Sequence, residues 1–472
     1  MLQCLLLMLC LLNFRSVLHA GWLAPEERAE ITHKVAVVGT GYVGLTLGAC
    51  LAECGHKVVC IDIDAEKIAR LKLGIIPIYE PGLSDLVQTN AEAGRLSFTT
   101  GLAQAAEKSD MIFIAVGTPT EATGQADLSA LFKVVEILKP FNDRLICIKS
   151  TVPVGTCRHV QSLLANNLSD MNAVEIVSNP EFFREGCAVK DFFEGDRVIV
   201  GCTSSKGMNL MQELYEPLTN KGMPMLVTSL ESSEMIKYAS NAFLAVKIAY
   251  INELSQLCEK TSADIVEVAK GMGLDRRIGK DFLKPGPGYG GSCFPKDTVA
   301  LLNTAQSYDV TLQIIDAAVK ANESHKEKIY AKTLAKLDMA TTNPTVAILG
   351  LAFKANTDDI RYSPALGLIS ALLNKGVAVK AYDPAATGNT QALFPEVTYC
   401  QSPYEAAKGA DCLVLLTEWE EFFHLDIDQL KSAMRTFKIF DTRNILDQQA
   451  FEAQGFSFEG IGRSAHFDPT NK

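Results

Sequence analysis

Two spacings are missing from this sequence, and each absence removes a class of function. Thirteen cysteines are scattered without a C-x-x-C pair and without nearby histidines to complete a zinc set, so no structural zinc is expected and the metal expectation is none. The odd number argues against a disulfide framework, and most of these thiols are expected as reduced core residues in a reducing compartment. Also missing is a basic cluster. With a net charge of -11, a broad nucleic-acid footprint is excluded. No apolar run reaches the length of a membrane span. Leu5 to Leu12 is nearly all apolar but short, and no Lys or Arg precedes it. Leu18-His-Ala20 before Gly21 loosely resembles a signal-peptide cleavage site. Three readings stay open for this leader: an upstream extension, a weak export signal, or a membrane tether. The extension is preferred, residues 1–32 are set outside the fold, and a cytoplasmic protein is expected.

What is present fits a globular chain of several domains. At 472 residues with 48% hydrophobic and 21% charged content, two or three cores are expected. The densest signal is Pro285-Gly-Pro-Gly-Tyr-Gly-Gly-Ser-Cys293-Phe-Pro-Lys-Asp297, with four glycines and three prolines around one thiol. Pro295 suits the first turn of a helix, which places Cys293 just before a helix N-terminus. That position and Lys296 favour a thiolate, while Asp297 opposes them or holds a proton or water. A buried structural cysteine is the plain alternative. The glycine run tilts the balance, because it lets something else approach the backbone.

The rest of the chain alternates strands and helices. Lys34 to Val38 leads into Gly39-Thr-Gly41-Tyr42-Val43-Gly44 and then a helix to Glu53; the next strand, Val58 to Ile61, ends in Asp62. Strand, glycine turn, helix and acid agree with a dinucleotide site, and the acid favours NAD over NADP, a preference Lys67 could soften. Met111 to Val116 and Leu145 to Lys149 run into loops that make Thr118 and Thr151 cofactor neighbours, with simple loop capping the alternative. After Ile176 to Ser178, Glu181 and Glu185 stand at i, i+4 spacing and could share a helical face. Glu181 is a candidate base. From Leu230 to Lys260 there is neither Pro nor Gly, which predicts a long helix suited to a spine or a dimer contact, with Lys237 and Asn241 on one side of it. Thr345 to Gly350, Lys375 to Asp383 and Gly409 to Thr417 then repeat the first domain's pattern. This copy lacks the triple glycine and carries Phe353 and Lys354 instead, so Lys354, Arg361 and Arg443 are its candidate anion contacts. The expected fold is α/β, two Rossmann-like doubly wound domains joined by a helical middle domain, with boundaries at 33–212, 213–338 and 339–472.

These motifs resemble the UDP-glucose/GDP-mannose dehydrogenase family from Lys34 to about Arg443. The most specific pieces are Gly39 to Gly44, Asn179 to Glu185, Lys237 to Asn241, Gly288 to Asp297 and Ala352 to Lys354. The resemblance implies Cys293 as nucleophile, Lys237 and Asn241 as oxyanion partners, Asp297 as proton or water handler, Glu181 as base for hydrolysis, and Thr151 beside them. It implies NAD contacts at the Gly39–Gly44 turn, Asp62, Lys67, Thr118, Thr151, Glu185, Lys296 and Arg361. Around the nucleotide sugar it implies Glu181, Phe182, Phe183, Lys237, Asn241, Phe282, Lys284, Tyr289, Gly290, Phe353, Lys354 and Arg443. Arg277 matches an arginine that reaches into a neighbouring subunit, which implies a homo-oligomer.

The implied substrate is UDP-glucose, oxidised by two NAD to UDP-glucuronate. An aldehyde has no good hydride to give while its carbon is trigonal, and a thiol that adds to it removes that obstacle. Another nucleotide sugar, a catalytically silent binder and a redox sensor built on Cys293 remain competing readings.

Overall fold

The computed structural model describes residues 22–121, 123–141, 143–165 and 174–463. The leader readings fall mainly on residues 1–21, outside the described residues. Residues 22–32, set outside the fold by sequence, pack onto it. Leu23 is buried, Trp22 stacks on Phe193 with ring centroids 5.1 Å apart, and Arg28 pairs with the buried Glu53. A Trp-x-x-Pro segment carries apolar area enough to dock, which the charged residues after it concealed.

The first sheet grows from short apolar runs: β1 (Lys34–Val38), β2 (Lys57–Ile61), β3 (Leu96–Thr99), β4 (Met111–Ile114), β5 (Leu145–Ile148), β6 (Ile176–Ser178), β7 (Val198–Cys202) and β8 (Met225–Thr228). Their order is β3-β2-β1-β4-β5-β6-β7-β8. All neighbours are parallel except β6 and β7. Strands β4 and β5 are buried at every position, as parallel strands covered on both faces must be. Side-chain alternation feeds two cores. Val35, Val37 and Phe113 pack with Leu45 and Leu51 on one face, and Ala36, Val38 and Ile112 with Leu131 and Val135 on the other. Each fully buried aliphatic of this kind contributes about 1.5–3 kcal/mol.

A second sheet repeats the first. It contains β9 (Thr345–Leu349), β10 (Ala378–Tyr382), β11 (Thr398–Tyr399), β12 (Cys412–Leu415), β13 (Lys438–Asp441) and β14 (Ser457–Gly460), in the order β11-β10-β9-β12-β13-β14. Position for position this is the order of β3-β2-β1-β4-β5-β6, the doubly wound arrangement read from the sequence. Even the turn after the first strand is shared: Gly39 donates to Ile61 O at 2.7 Å and Gly350 to Tyr382 O at 2.9 Å.

Between the sheets in sequence lies the helix Leu230–Thr261, unbroken because neither Pro nor Gly interrupts it. The chain divides into two compact units inside this helix, between Lys237 and Tyr238, with Ala122–Gln125 belonging to the second unit. The second unit also holds the helices Phe294–Ser307 and Gln313–Ala335. Among the described residues no helix is long and apolar enough to cross a membrane, and no group of His, Cys, Asp and Glu could hold a metal ion.

Candidate active site

In the first unit the glycine turn opens the helix Tyr42–Glu53, whose N-cap Gly41 supplies no side-chain hydrogen bond. A Cβ on Gly44 would stand 1.9 Å from Gly39 O, so only hydrogen lets the helix start this close to β1. A Cβ on Gly41 would meet nothing within 4 Å. Open space therefore lies over uncapped helical amides, the surroundings a pyrophosphate needs. Asp62 follows β2, and its Oδ2 accepts from Thr40 N at 2.9 Å, Thr40 Oγ1 at 2.6 Å and Lys67 Nζ at 3.0 Å. Burial opposes ionisation of this carboxyl, but the donation from Thr40, Asp64 N and Lys67 prevails and holds it down to about 2. A permanently charged Asp62 suits a ribose hydroxyl and repels a 2'-phosphate. Lys67 is ion-paired to that acid, so it does not stand ready for a phosphate. Thr118 and Thr151 come together: Thr118 Oγ1 donates to Thr151 O at 2.9 Å. These residues fit a dinucleotide.

The same unit holds a buried polar cluster at the ends of β5 and β6. Residues 179–185 form a loop and not the helix that the Glu181 and Glu185 spacing suggested. Pro180 disfavours helical geometry before it, and Glu181 turns its carboxylate back onto its own backbone. Its Oε1 accepts from Phe182 N and Phe183 N, both at 2.6 Å. Glu185 is half-buried in the turn after it, where Gly186 N and Ala188 N donate to Glu80 at 2.6 and 2.7 Å. Lys149, whose side chain is as buried as that of Glu181, stands 3.3 Å from Glu181 Oε2 and donates to Asn179 Oδ1 at 3.1 Å. Burial pushes the Glu181 carboxyl up, against the opposing pull of Lys149 and Lys237. Lys237 Nζ lies 5.1 Å from the Phe182 ring centre, Arg197 lies over the same ring, and Phe183 packs edge-on against Phe192.

In the second unit Cys293 is the N-cap of the helix Phe294–Ser307, as Pro295 predicted. Eleven cysteines are described, and Cys293 is the exposed one among them. Burial pushes thiols such as Cys60 and Cys412 up to about 12. Cys293 is exposed instead and caps the positive end of a helix. In the next turn Asp297 is wholly buried, accepting from Asn241 Nδ2 at 2.6 Å and Lys296 Nζ at 2.5 Å. Lys296, expected to act on the thiol or the cofactor, is thus neutralised by Asp297, and one amide donor of Asn241 is directed at the same carboxylate.

The glycines before Cys293 are also required by the protein's own packing. A Cβ on Gly290 would stand 2.3 Å from Tyr362 O, and one on Gly291 would stand 2.8 Å from the Phe353 ring. Gly291 N donates to Arg361 O at 2.8 Å, while Asn252 Oδ1 accepts from Gly286 N at 2.9 Å and Asn322 Oδ1 from Tyr289 N at 2.8 Å. The loop is clamped between the helices of this unit and the segment after β9. Tyr289 is buried against Phe294, and burial lifts its phenol to about 12. Phe282 and Tyr362, on either side of the clamp, both hold positive φ, 62° and 53°. Such strain of about 1–3 kcal/mol each persists only where surrounding packing imposes it.

The second glycine-turn copy departs as expected. After β9 the next helix begins only at Pro364, whereas after β1 it begins at Tyr42. Asp383, the counterpart of Asp62, accepts from Leu351 N, Ala352 N and Trp419 Nε1 through Oδ2. Arg443 hydrogen-bonds Leu416 O at 2.7 Å and Phe353 O at 3.2 Å and pairs with Glu418. Arg361 forks onto Asp359, and exposed Arg277 onto Asp275. Lys354 Nζ lies 5.5 Å from the Phe353 ring centre, and Lys284 is exposed. Sequence reasoning missed Lys149, Asn179 and Tyr215 as one cluster; the available signal was a lysine closing an otherwise apolar central strand.

Comparison with known proteins agrees with this geometry. Residues 33–219 match the UDP-glucose/GDP-mannose dehydrogenase family, NAD binding domain, residues 231–324 its central domain and residues 347–448 its UDP binding domain. The UDP-glucose 6-dehydrogenase of Rhizobium meliloti is 46% identical over 91% of this chain and 99% of its own length. UDP-glucose 6-dehydrogenase TuaD of Bacillus subtilis is 45% identical over 92% of this chain and 94% of its own. Among solved structures, a UDP-glucose dehydrogenase from Pyrobaculum islandicum superposes with a TM-score of 0.83 at 33% identity, covering 94% of this chain and all of that one (100%). With a nucleotide turn in one unit, an exposed helix-capping thiol in the other and all three domain profiles matched in order, the chain belongs to the UDP-glucose/GDP-mannose dehydrogenase family.

Proposed function

We propose that this protein oxidises UDP-glucose to UDP-glucuronate with two NAD and one water, releasing two NADH. The observation that carries this reading is Cys293, the exposed member of the described thiols, capping a helix beside the buried Asn241 and Asp297 and the half-buried Lys296. Bound NAD supplies the hydride acceptor. The chain supplies everything else. Cys293 sulfur adds to the aldehyde carbon, which becomes tetrahedral and able to lose its second hydride, leaving a thioester. Lys237 and Asn241 stabilise charge on the oxygen, and loss of one such donor commonly costs about a hundred- to a thousandfold in rate. Asp297 takes up and returns the proton, tied to Asn241 and Lys296. Glu181, with Thr151, serves the hydrolysis: a buried, raised carboxyl is suited to take a proton from water.

The nucleotide-sugar surface is assigned to Tyr289, Gly290, Phe353, Lys354 and Arg443, and the domains to 33–212, 213–338 and 339–472. We place the protein in the cytoplasm, where this thiol stays reduced, and assign it a homo-oligomer. Phe243, Tyr250 and Leu257 are 64%, 48% and 58% exposed, one heptad apart on the long helix, an apolar stripe suited to a second copy. Arg277 is assigned to a neighbouring subunit's site. Sedimentation of the full chain checks the oligomer. The reaction is tested by supplying NAD with UDP-glucose, GDP-mannose or a UDP-N-acetylhexosamine, counting NADH and weighing the product. Two NADH per UDP-glucose are expected; one NADH per sugar, or turnover confined to another sugar, overturns the assignment.

A further inference from the structure

A buried lysine among apolar strands calls for a reason other than stability. Taking an ammonium and a carboxylate out of water costs several kcal/mol each, and an apolar pair of the same size often packs as well. Lys149 and Glu181 are 4% and 5% exposed, and their geometry is uneven. Glu181 Oε1 is tied by Phe182 N and Phe183 N. Oε2 lies 3.3 Å from Lys149 Nζ yet has no aligned hydrogen bond. The ammonium is held elsewhere: it donates to Asn179 Oδ1, which also accepts from Tyr215 OH at 2.7 Å, while Asn179 Nδ2 donates to Ile199 O at 2.7 Å. Lys149 therefore acts on Glu181 as a fixed point charge, and Oε2 keeps its lone pairs.

We propose that Lys149 is a positioning residue, one that keeps the Glu181 carboxylate charged with its buried Oε2 left without a hydrogen bond, to accept from the water that cleaves the Cys293 thioester. This rests on the reading of Glu181 as the hydrolytic base. In that step water oxygen bonds to the thioester carbon, its proton goes to Oε2, and the C–S bond breaks with its electron pair on Cys293 sulfur. The groups that bear on Glu181 are Lys149 after β5, Lys237 on the long helix, Tyr215, and Cys50 on the helix Tyr42–Glu53. Of these, the two lysines favour the charged carboxylate, and Lys237 is committed to the sugar oxygen.

The test is the pH dependence of kcat with NAD and UDP-glucose, together with acid-quench mass measurement of the Cys293 adduct. Lys149→Met is expected to lose rate at about pH 6 and to recover toward about pH 9, because a carboxyl without its cation ionises later. Adduct then accumulates at the acidic end alone, and KM for NAD is unchanged. Lys149→Arg keeps a cation, so its acidic limb stays at the wild-type pH even where the rate falls. Glu181→Gln accumulates adduct at every pH and loses about a hundredfold or more. A Lys149→Met loss equal at all pH values, or a displaced limb in Lys149→Arg, overturns the role of Lys149 while leaving Glu181 as base. Should Lys149→Met fail to fold, the Lys149→Arg profile decides alone. Wild-type turnover without adduct in Glu181→Gln overturns the reading beneath it.

Discussion

Glu234→Ala removes a carboxylate that caps a helix to which it does not belong. Glu234 lies near the start of the long helix, 2% exposed, and accepts from Gly155 N and Cys157 N, both at 2.7 Å. Those amides open the helix Thr156–Leu164, whose own N-cap, Gly155, has no side chain to offer. Truncation leaves the buried Cys157 N–H and the part-buried Gly155 N–H without an acceptor, at up to about 3 kcal/mol each. Against this stands relief of the burial that pushes the Glu234 carboxyl up. A net loss of about 2–4 kcal/mol is expected, and Glu234→Gln, which keeps one acceptor oxygen, should lose about half as much. Urea unfolding followed by tryptophan fluorescence reads this cleanly. The chain has 2 tryptophans, and they fall in different units, Trp22 in the first and Trp419 in the second. In a Trp419→Phe background the signal belongs to the first unit, where a lower midpoint with an unchanged slope is expected. The loop before this helix carries Thr151, so NAD affinity should fall more than affinity for the nucleotide sugar. A loss under about 0.5 kcal/mol would refute the capping role.

Asp62 is held down to about 2 from an ordinary 3.8, so the folded state binds fewer protons there and the stabilisation belongs to the charged form. The stability gap between the wild type and Asp62→Asn should be full above about pH 4 and close as pH falls toward about 2, read by urea midpoints across that range; a gap independent of pH contradicts it. Gly291→Ala places a Cβ 2.8 Å from the Phe353 ring at a φ of +83°. Left-handed strain and the displaced ring should lower stability of the second unit by about 2–4 kcal/mol and raise KM for the sugar nucleotide more than for NAD. Equal KM values to wild type would show that the clamp does not shape that site.

Much of this molecule was legible because its signals are local. Strand, glycine turn, helix and acid follow one another from Lys34 to Asp62, and the repeat at Thr345–Asp383 has the same strand order. The absence of Pro and Gly gave the long helix, and Pro295 gave the helix that Cys293 caps. Residues whose meaning lies in distant partners were not legible. Lys149 reads as the end of a strand until Glu181 and Asn179 arrive from β6. Glu234 reads as a surface acid until Gly155 and Cys157 are placed over it. The glycines before Cys293 carry a second requirement that no local signal shows, because Tyr362 and Phe353, far along the chain, pack where a Cβ on Gly290 or Gly291 would stand. Spacing also misled at Glu181 and Glu185, where an acid hydrogen-bonded to its own following amides takes the place of a helix.

The most direct measurement supplies Cys293→Ser with NAD and UDP-glucose and weighs what is formed. NAD should bind as it does to the wild type, and no UDP-glucuronate should appear, because a serine in that place gives no thioester for water to cleave. UDP-glucuronate at the wild-type yield would contradict a covalent route through this thiol.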